Sequence, residues 1–106
     1  MKPLEEILEK INKSISEYET KKLSFTQEQS EILRDLSVNL HWLAEHRIYY
    51  HNQWLGVYFE TKGSNASKER ESDYKVPELY KIRHLMSSGY KVLESLRSTI
   101  SANKQN

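Results

Sequence analysis

Residues 33–60 read LRDLSVNLHWLAEHRIYYHNQWLGVYFE, and this stretch decides the fold. Leu33, Leu36, Leu40, Leu43, Arg47, Tyr50, Trp54 and Val57 recur at alternating steps of three and four. That is the period of an α-helix, not the two-residue alternation of a strand. Ala44, Ile48, His51, Leu55 and Tyr58 form an adjacent stripe. Together the stripes make an apolar face wider than a two-stranded coiled coil needs. Gly56 sits inside the pattern and marks a close helix crossing or a weak point. The helix is expected over 27–60. Its start is set by a capping box of Thr26 with Gln29, or of Ser24 with Gln27.

Upstream, Leu4, Leu8, Ile11, Ile15 and Tyr18 repeat the 4, 3, 4, 3 spacing, with Ile7 widening the stripe. Pro3 suits a first helical turn, where its missing N–H costs nothing. Glu5, Glu6 and Glu9 complement the positive end of the helix dipole, and Lys21 and Lys22 its negative end. A helix over 3–19 follows. Downstream, Thr61-Lys62-Gly63-Ser64-Asn65 is a loop, with Gly63 fit for the C′ position and Ser64 or Asn65 for a cap. Residues 61–75 are charged and nearly free of apolar side chains; they read as a connector, a solvated helical turn or a mobile link. Pro77 disfavours the α conformation at Val76 and so starts a third main helix over 77–100. Its apolar face runs from Leu79, Ile82, Leu85 and Met86 to Val92, Leu93, Leu96 and Ile100. Gly89 on that face leaves room for a bulky Trp or Tyr. Residues 101–106 read as a fraying polar tail.

The expected fold is all-α: a long antiparallel helical hairpin with an additional N-terminal helix. The 106 residues allow one domain. A 34-residue second helix would be roughly 50 Å long, against about 26 Å across for a compact chain of this size. A hairpin that thin leaves apolar surface uncovered, so an oligomeric helical bundle is expected. Leu36, Leu40, Leu43, Tyr50, Trp54 and Val57, with Trp42 and Tyr49, are its candidate oligomer or partner interface.

Composition narrows the chemistry. Apolar residues are 37%, charged residues 29% and mean hydropathy is −0.81, yet 10% aromatic is too rich for simple disorder. No apolar run approaches a membrane span, and residues 1–6 lack a signal-type apolar region, so a cytoplasmic chain is expected. The absence of cysteine removes disulfides, thiol catalysis and Cys-type zinc sites. His41, His46 and His51 are five apart, each turned by about 140° from the last, so they do not converge on a metal with Glu45, and His84 lies on the third helix. No acid pair, nucleophile elbow or Gly-rich phosphate loop is present. No metal, cofactor or enzymatic activity is expected. Asn65-Ala66-Ser67 matches a glycosylation acceptor by accident of spacing.

The net charge is +1, but it is unevenly spread. Residues 1–60 carry seven basic and ten acidic side chains, and residues 61–106 carry nine and five. Lys62, Lys68, Arg70, Lys75, Lys81, Arg83, Lys91 and Arg97, interleaved with Tyr74, Tyr80 and Tyr90, are candidate contacts for single-stranded nucleic acid: cations for phosphates and rings for bases. Trp54, Tyr50 and Tyr90 are better placed as core or subunit-interface residues; Trp42, Tyr49, Tyr74 and Tyr80 are freer to be exposed. Arg47, Arg83 and Arg97 fall on apolar stripes, where their stems can pack while the guanidinium reaches water, a phosphate or a carboxylate such as Glu45, Glu60 or Glu94.

Two segments, WLAEHRIYYHNQWLGVYF (42–59) and SNASKERESDYKVPELYKIRHLMSSGYKVLESLRSTI (64–100), resemble in layout the UvsY-like recombination mediators of bacteriophages. The likeness is a long helix, a charged connector, then a helix with spaced Tyr, Leu and Arg. It implies a helical oligomer that binds single-stranded DNA and helps load a recombinase, with Lys68, Arg70, Lys81 and Arg83 where DNA contacts would fall. The alternative is a protein–protein module, such as a mobile-element inhibitor or adaptor that grips a host protein through exposed aromatics.

Overall fold

The computed structural model describes residues 2–20 and 26–105. Among them every element is helical: α1 (Leu4–Thr20), α2 (Thr26–Glu60), α3 (Asn65–Lys75) and α4 (Pro77–Gln105). The chain is all-α. The capping expectation at Ser24 lies outside the described residues, as does that for the Thr26 side chain. No helix among the described residues is long and apolar enough to cross a membrane.

At 35 residues α2 is about 52 Å long. It needs cover along that whole length, and two short helices supply it in series. α1 covers the N-terminal half of α2: the Lys2 carbonyl meets His46 Nε2 at 2.7 Å, and Ser14 and Glu17 lie beside Arg34 and Asn39. α3 covers the C-terminal half, where Trp54 reaches Asp73 and Tyr58 reaches Asn65. α4 packs along α2 from His51, beside Arg83, to Leu40, beside Gly89. The molecule measures 59 × 25 × 20 Å with a radius of gyration of 17.3 Å, against about 13 Å for a compact chain of 100 residues.

The core joins Ile7 and Ile11 of α1, Ile32, Leu36, Leu40 and Leu43 of α2, and Ile82, Leu93 and Leu96 of α4. Burying each such side chain contributes roughly 1.5–3 kcal/mol. The buried line differs from the simple 3–4 alternation. On α2 it passes through Ile32 and His46, while Arg47 is exposed and Leu33 half-buried. On α1 it runs through Ile7, Ile11 and Ser14, with Leu4, Leu8, Ile15 and Tyr18 at its flanks. A strict seven-residue repeat drifts about 20° per heptad on a straight helix, so a stripe drawn from Leu33 to Val57 slides off the buried side. His46 is tolerated inside because its Nε2–H donates to the Lys2 carbonyl and its ring stacks on Tyr50.

The charged connector is corrected to an 11-residue helix. Ser64 caps it, its Oγ accepting from the Ser67 N–H at 3.2 Å, and Gly63 supplies the turn before it at φ +127°. Gly63 sits three residues past Glu60, not at the C′ position. α3 buries a serine, Ser72, whose hydroxyl donates to the Lys68 carbonyl. A small polar residue on the inner face left no apolar period to detect. The chain then breaks at Val76, which is buried and leaves the helical region at φ −127°, ψ 66° before Pro77. The expected tail is also helical, to Gln105.

The two helical glycines differ. A Cβ on Gly89 would lie 2.8 Å from Leu40 Cδ2, so Gly89 receives a leucine and not an aromatic ring. A Cβ on Gly56 would meet nothing within 4 Å, so it marks no crossing within the chain. Gly56→Ala should therefore raise unfolding stability by about 1 kcal/mol through helix propensity alone. Gly89→Ala should lower it by about 1 kcal/mol, because overpacking against Leu40 outweighs the same gain. Urea denaturation of both variants measures the contrast.

Candidate nucleic-acid interface

Where α2, α3 and α4 meet, side chains at steps of three and four on α2 form a stacked column. His51 and Trp54 stack at 6.2 Å with planes 6° apart, and Trp54 and Tyr58 at 5.4 Å and 16°. Cations stand at both ends. Arg83 Nη2 donates to His51 Nδ1 at 3.3 Å, and Lys68 Nζ lies 5.5 Å from the centre of the Tyr58 ring. Two hydrogen bonds pin the column to α3: Trp54 Nε1 donates to Asp73 Oδ1 at 2.8 Å, and the Tyr58 hydroxyl to Asn65 Oδ1 at 3.0 Å. The rings are thus fixed laterally by stacking and in depth by polar anchors.

Beside the Arg83 end runs a cleft of about 200 Å³ between α2 and α4, lined by Arg47, Ile48, His51, Asn52 and Arg83. Its lining holds two guanidiniums, an imidazole and a carboxamide, and no carboxylate. In the contact with Arg83, His51 Nδ1 is the acceptor, so the ring proton resides on Nε2 and remains free to donate. The lining offers guanidinium, imidazole and carboxamide donors to an anion. Tyr80, one turn before Arg83, presents a ring 75% exposed and stacked on His84 at 6.2 Å.

The eight predicted cations are not gathered into one patch. Arg83 joins Arg47 and His51, and Lys68 caps the aromatic column. Lys75 is paired with Glu71 at 3.4 Å. Lys62, Arg70 and Lys81 are exposed, with Lys81 turned about 200° from Arg83 around α4. Lys91 and Arg97 lie roughly 12 and 21 Å further along the α4 axis, Lys91 beside Tyr18 and Glu94. α3 carries Lys68, Arg70 and Lys75 against Glu69, Glu71 and Asp73, and so is neutral overall.

The predicted interface leucines are corrected. Leu36, Leu40 and Leu43 are at most 2% exposed within a single chain. The cover that the thin hairpin was expected to seek in another copy comes from α1 and α4. Trp42 and Tyr50 pack against the same core, and burial, then the Glu78 carboxylate, pushes the Tyr50 phenol above its ordinary pKa. Trp54 belongs to the column and Val57 is half-buried; of the eight, only Tyr49 is exposed. Tyr90, expected in the core or at a subunit interface, is exposed in the single chain. Asn65, Asp73 and His51 were missed as partners of the column. The spacing of His51, Trp54 and Tyr58 was a signal for them, but their partners sit on a helix the sequence did not reveal.

Asp73→Ala should lower unfolding stability by about 1 kcal/mol through the lost indole bond and shift Trp54 fluorescence, whereas Arg70→Ala, exposed and about 200° around α3 from the buried Ser72, should do neither. Thermal denaturation followed at the tryptophan emission band separates the two. No family model, curated protein or solved structure matches the chain, so the site is read from its own chemistry.

Proposed function

We propose that the chain is a non-enzymatic binding protein for single-stranded DNA that works as an oligomer, an accessory of the phage type of recombination or replication. The observation that carries this reading is the carboxylate-free cleft of Arg47, His51 and Arg83 at the end of the stacked column. A backbone phosphate enters between the two guanidiniums and takes a hydrogen bond from His51 Nε2. The neighbouring base lies on the open face of Tyr80, one turn away on α4. The column beneath keeps His51 from yielding.

One phosphate site per copy binds weakly, so affinity comes from several copies engaging one strand. The surface left to join copies is the outward side of α2. There Tyr49 and Phe59 are 53% and 75% exposed, and the space over Gly56 is open. The same surface supports a second reading, in which the exposed rings hold a host protein and nucleic acid plays no part.

Anisotropy of a labelled oligo(dT) titrated with the protein tests the first reading. One phosphate neutralised per copy gives a log–log salt slope of about −0.7 per copy. Arg47→Gln with Arg83→Gln should remove binding, while Lys91→Gln with Arg97→Gln should keep most of it. The reverse ranking, or no binding by the wild-type chain at low salt, contradicts it. In the second case, loss of a pulled-down partner on Tyr49→Ala with Phe59→Ala would favour the protein-binding reading.

A further inference from the structure

A second polar opening lies between α1 and the N-terminal half of α2, away from the column. Its volume is about 370 Å³, within the usual range of small-molecule sites. Asn39 forms part of its wall. That side chain is only 6% exposed, and its Nδ2 donates to the Asp35 carbonyl at 2.8 Å. Its Oδ1 is buried without a hydrogen-bond partner. Such a carbonyl carries a desolvation cost that an apolar residue would avoid, and it calls for a missing donor.

The charges around the opening are mixed, and Lys2 and Asp35 act on the Glu6–Lys10 pair beside it. Lys2, Lys13 and Arg34 line it, and so do the carboxylates of Glu17 and Asp35. None of these five belongs to an ion pair among the described residues. Lys10 also lines the opening but is taken: its Nζ lies 2.9 Å from Glu6, and each holds the other in its charged form. A simple anion would be drawn by the three cations and repelled by the two carboxylates; a simple cation would meet the opposite balance.

We infer that this cleft binds a small zwitterion, a phosphate or carboxylate that also carries an ammonium group. The anionic end is held by Lys2, Lys13 and Arg34. The ammonium group is held by Glu17 and Asp35 and gives one N–H to Asn39 Oδ1. The unpartnered amide is then part of the recognition, because a ligand lacking a donor leaves it unsatisfied. The inference stands apart from the DNA reading, since the two sites share no residue.

Calorimetric titration of the full chain at low salt tests it, with phosphoethanolamine as probe and its halves, inorganic phosphate and ethanolamine, as controls. Phosphoethanolamine should bind at least about tenfold more tightly than either half. Asn39→Leu and Arg34→Gln should each weaken it by about tenfold or more, with oligo(dT) binding unchanged in both. Asn39→Leu should also raise the melting temperature, so lost binding in that variant is not lost folding. Phosphatidylcholine vesicles with and without phosphatidylethanolamine separate the two sources of this chemistry. Binding only to the ethanolamine vesicles, lost in Arg34→Gln, assigns a membrane headgroup; binding of the free compound alone assigns a soluble ligand. No saturable response to either form overturns the inference. So does unaltered binding by Asn39→Leu, which would leave the Oδ1 to an ordered water.

Discussion

The hydrogen bond from the Trp54 indole to Asp73 is the contact on which the distal half of the molecule depends. α2 runs about 52 Å, and beyond Tyr50 it has no buried apolar residue. Apolar packing there is limited to Val76 and Leu79, buried at the α3–α4 junction, and to half-buried Leu55 and Val57 on α2. What else holds α3 is a set of polar anchors on an aromatic column, together with a buried serine where a bundle would place a leucine. The proximal half is built in the opposite way. There α1, α2 and α4 share a dry core of isoleucines and leucines, and Gly89 lets Leu40 settle against α4.

This division of labour bears on function. A leucine-lined core is rigid and closed, while a stacked column leaves ring edges and capping cations at the surface. The Arg83–His51 contact belongs to both worlds: it ends the column and forms a wall of the only cleft described here whose lining holds cations without carboxylates. In the proposed reading, position counts for more than the charge asymmetry between the two halves of the sequence. The neutral α3 cancels its own charges, and two of the cations on α4 stand far from the cleft. Arg47, from the acidic half, contributes where the basic half alone would not suffice.

Much of the fold was legible in the sequence. The 3–4 spacing from Leu33 onward, Pro3, the Ser64 cap and the Val76-Pro77 break are local signals with local causes, and each is matched by an element or boundary. The exact buried line was less legible, because a seven-residue repeat and a 3.6-residue helix part company over three heptads. α3 was hidden because periodicity detects apolar faces, and its inner face is a serine. The site was legible only in part. Arg83 and Lys68 were singled out for their charge, yet what positions them, the hydrogen bond to His51 and the cation–π contact with Tyr58, is a relation between helices. Asn39 gave no signal at all, since an asparagine within a helix says nothing about whether its carboxamide will find a partner.

The central claim is that polar anchoring by the column, added to the small apolar junction at Val76 and Leu79, keeps α3 in place. Hydrogen–deuterium exchange of the wild-type chain and of Trp54→Phe, which keeps a stacking ring but removes the indole N–H, tests it most directly. The account predicts that the amides of α3 lose protection in the variant while those of α1, the N-terminal half of α2 and α4 beyond Gly89 exchange as before. Unchanged protection of α3, or an equal loss across all four helices, would contradict it.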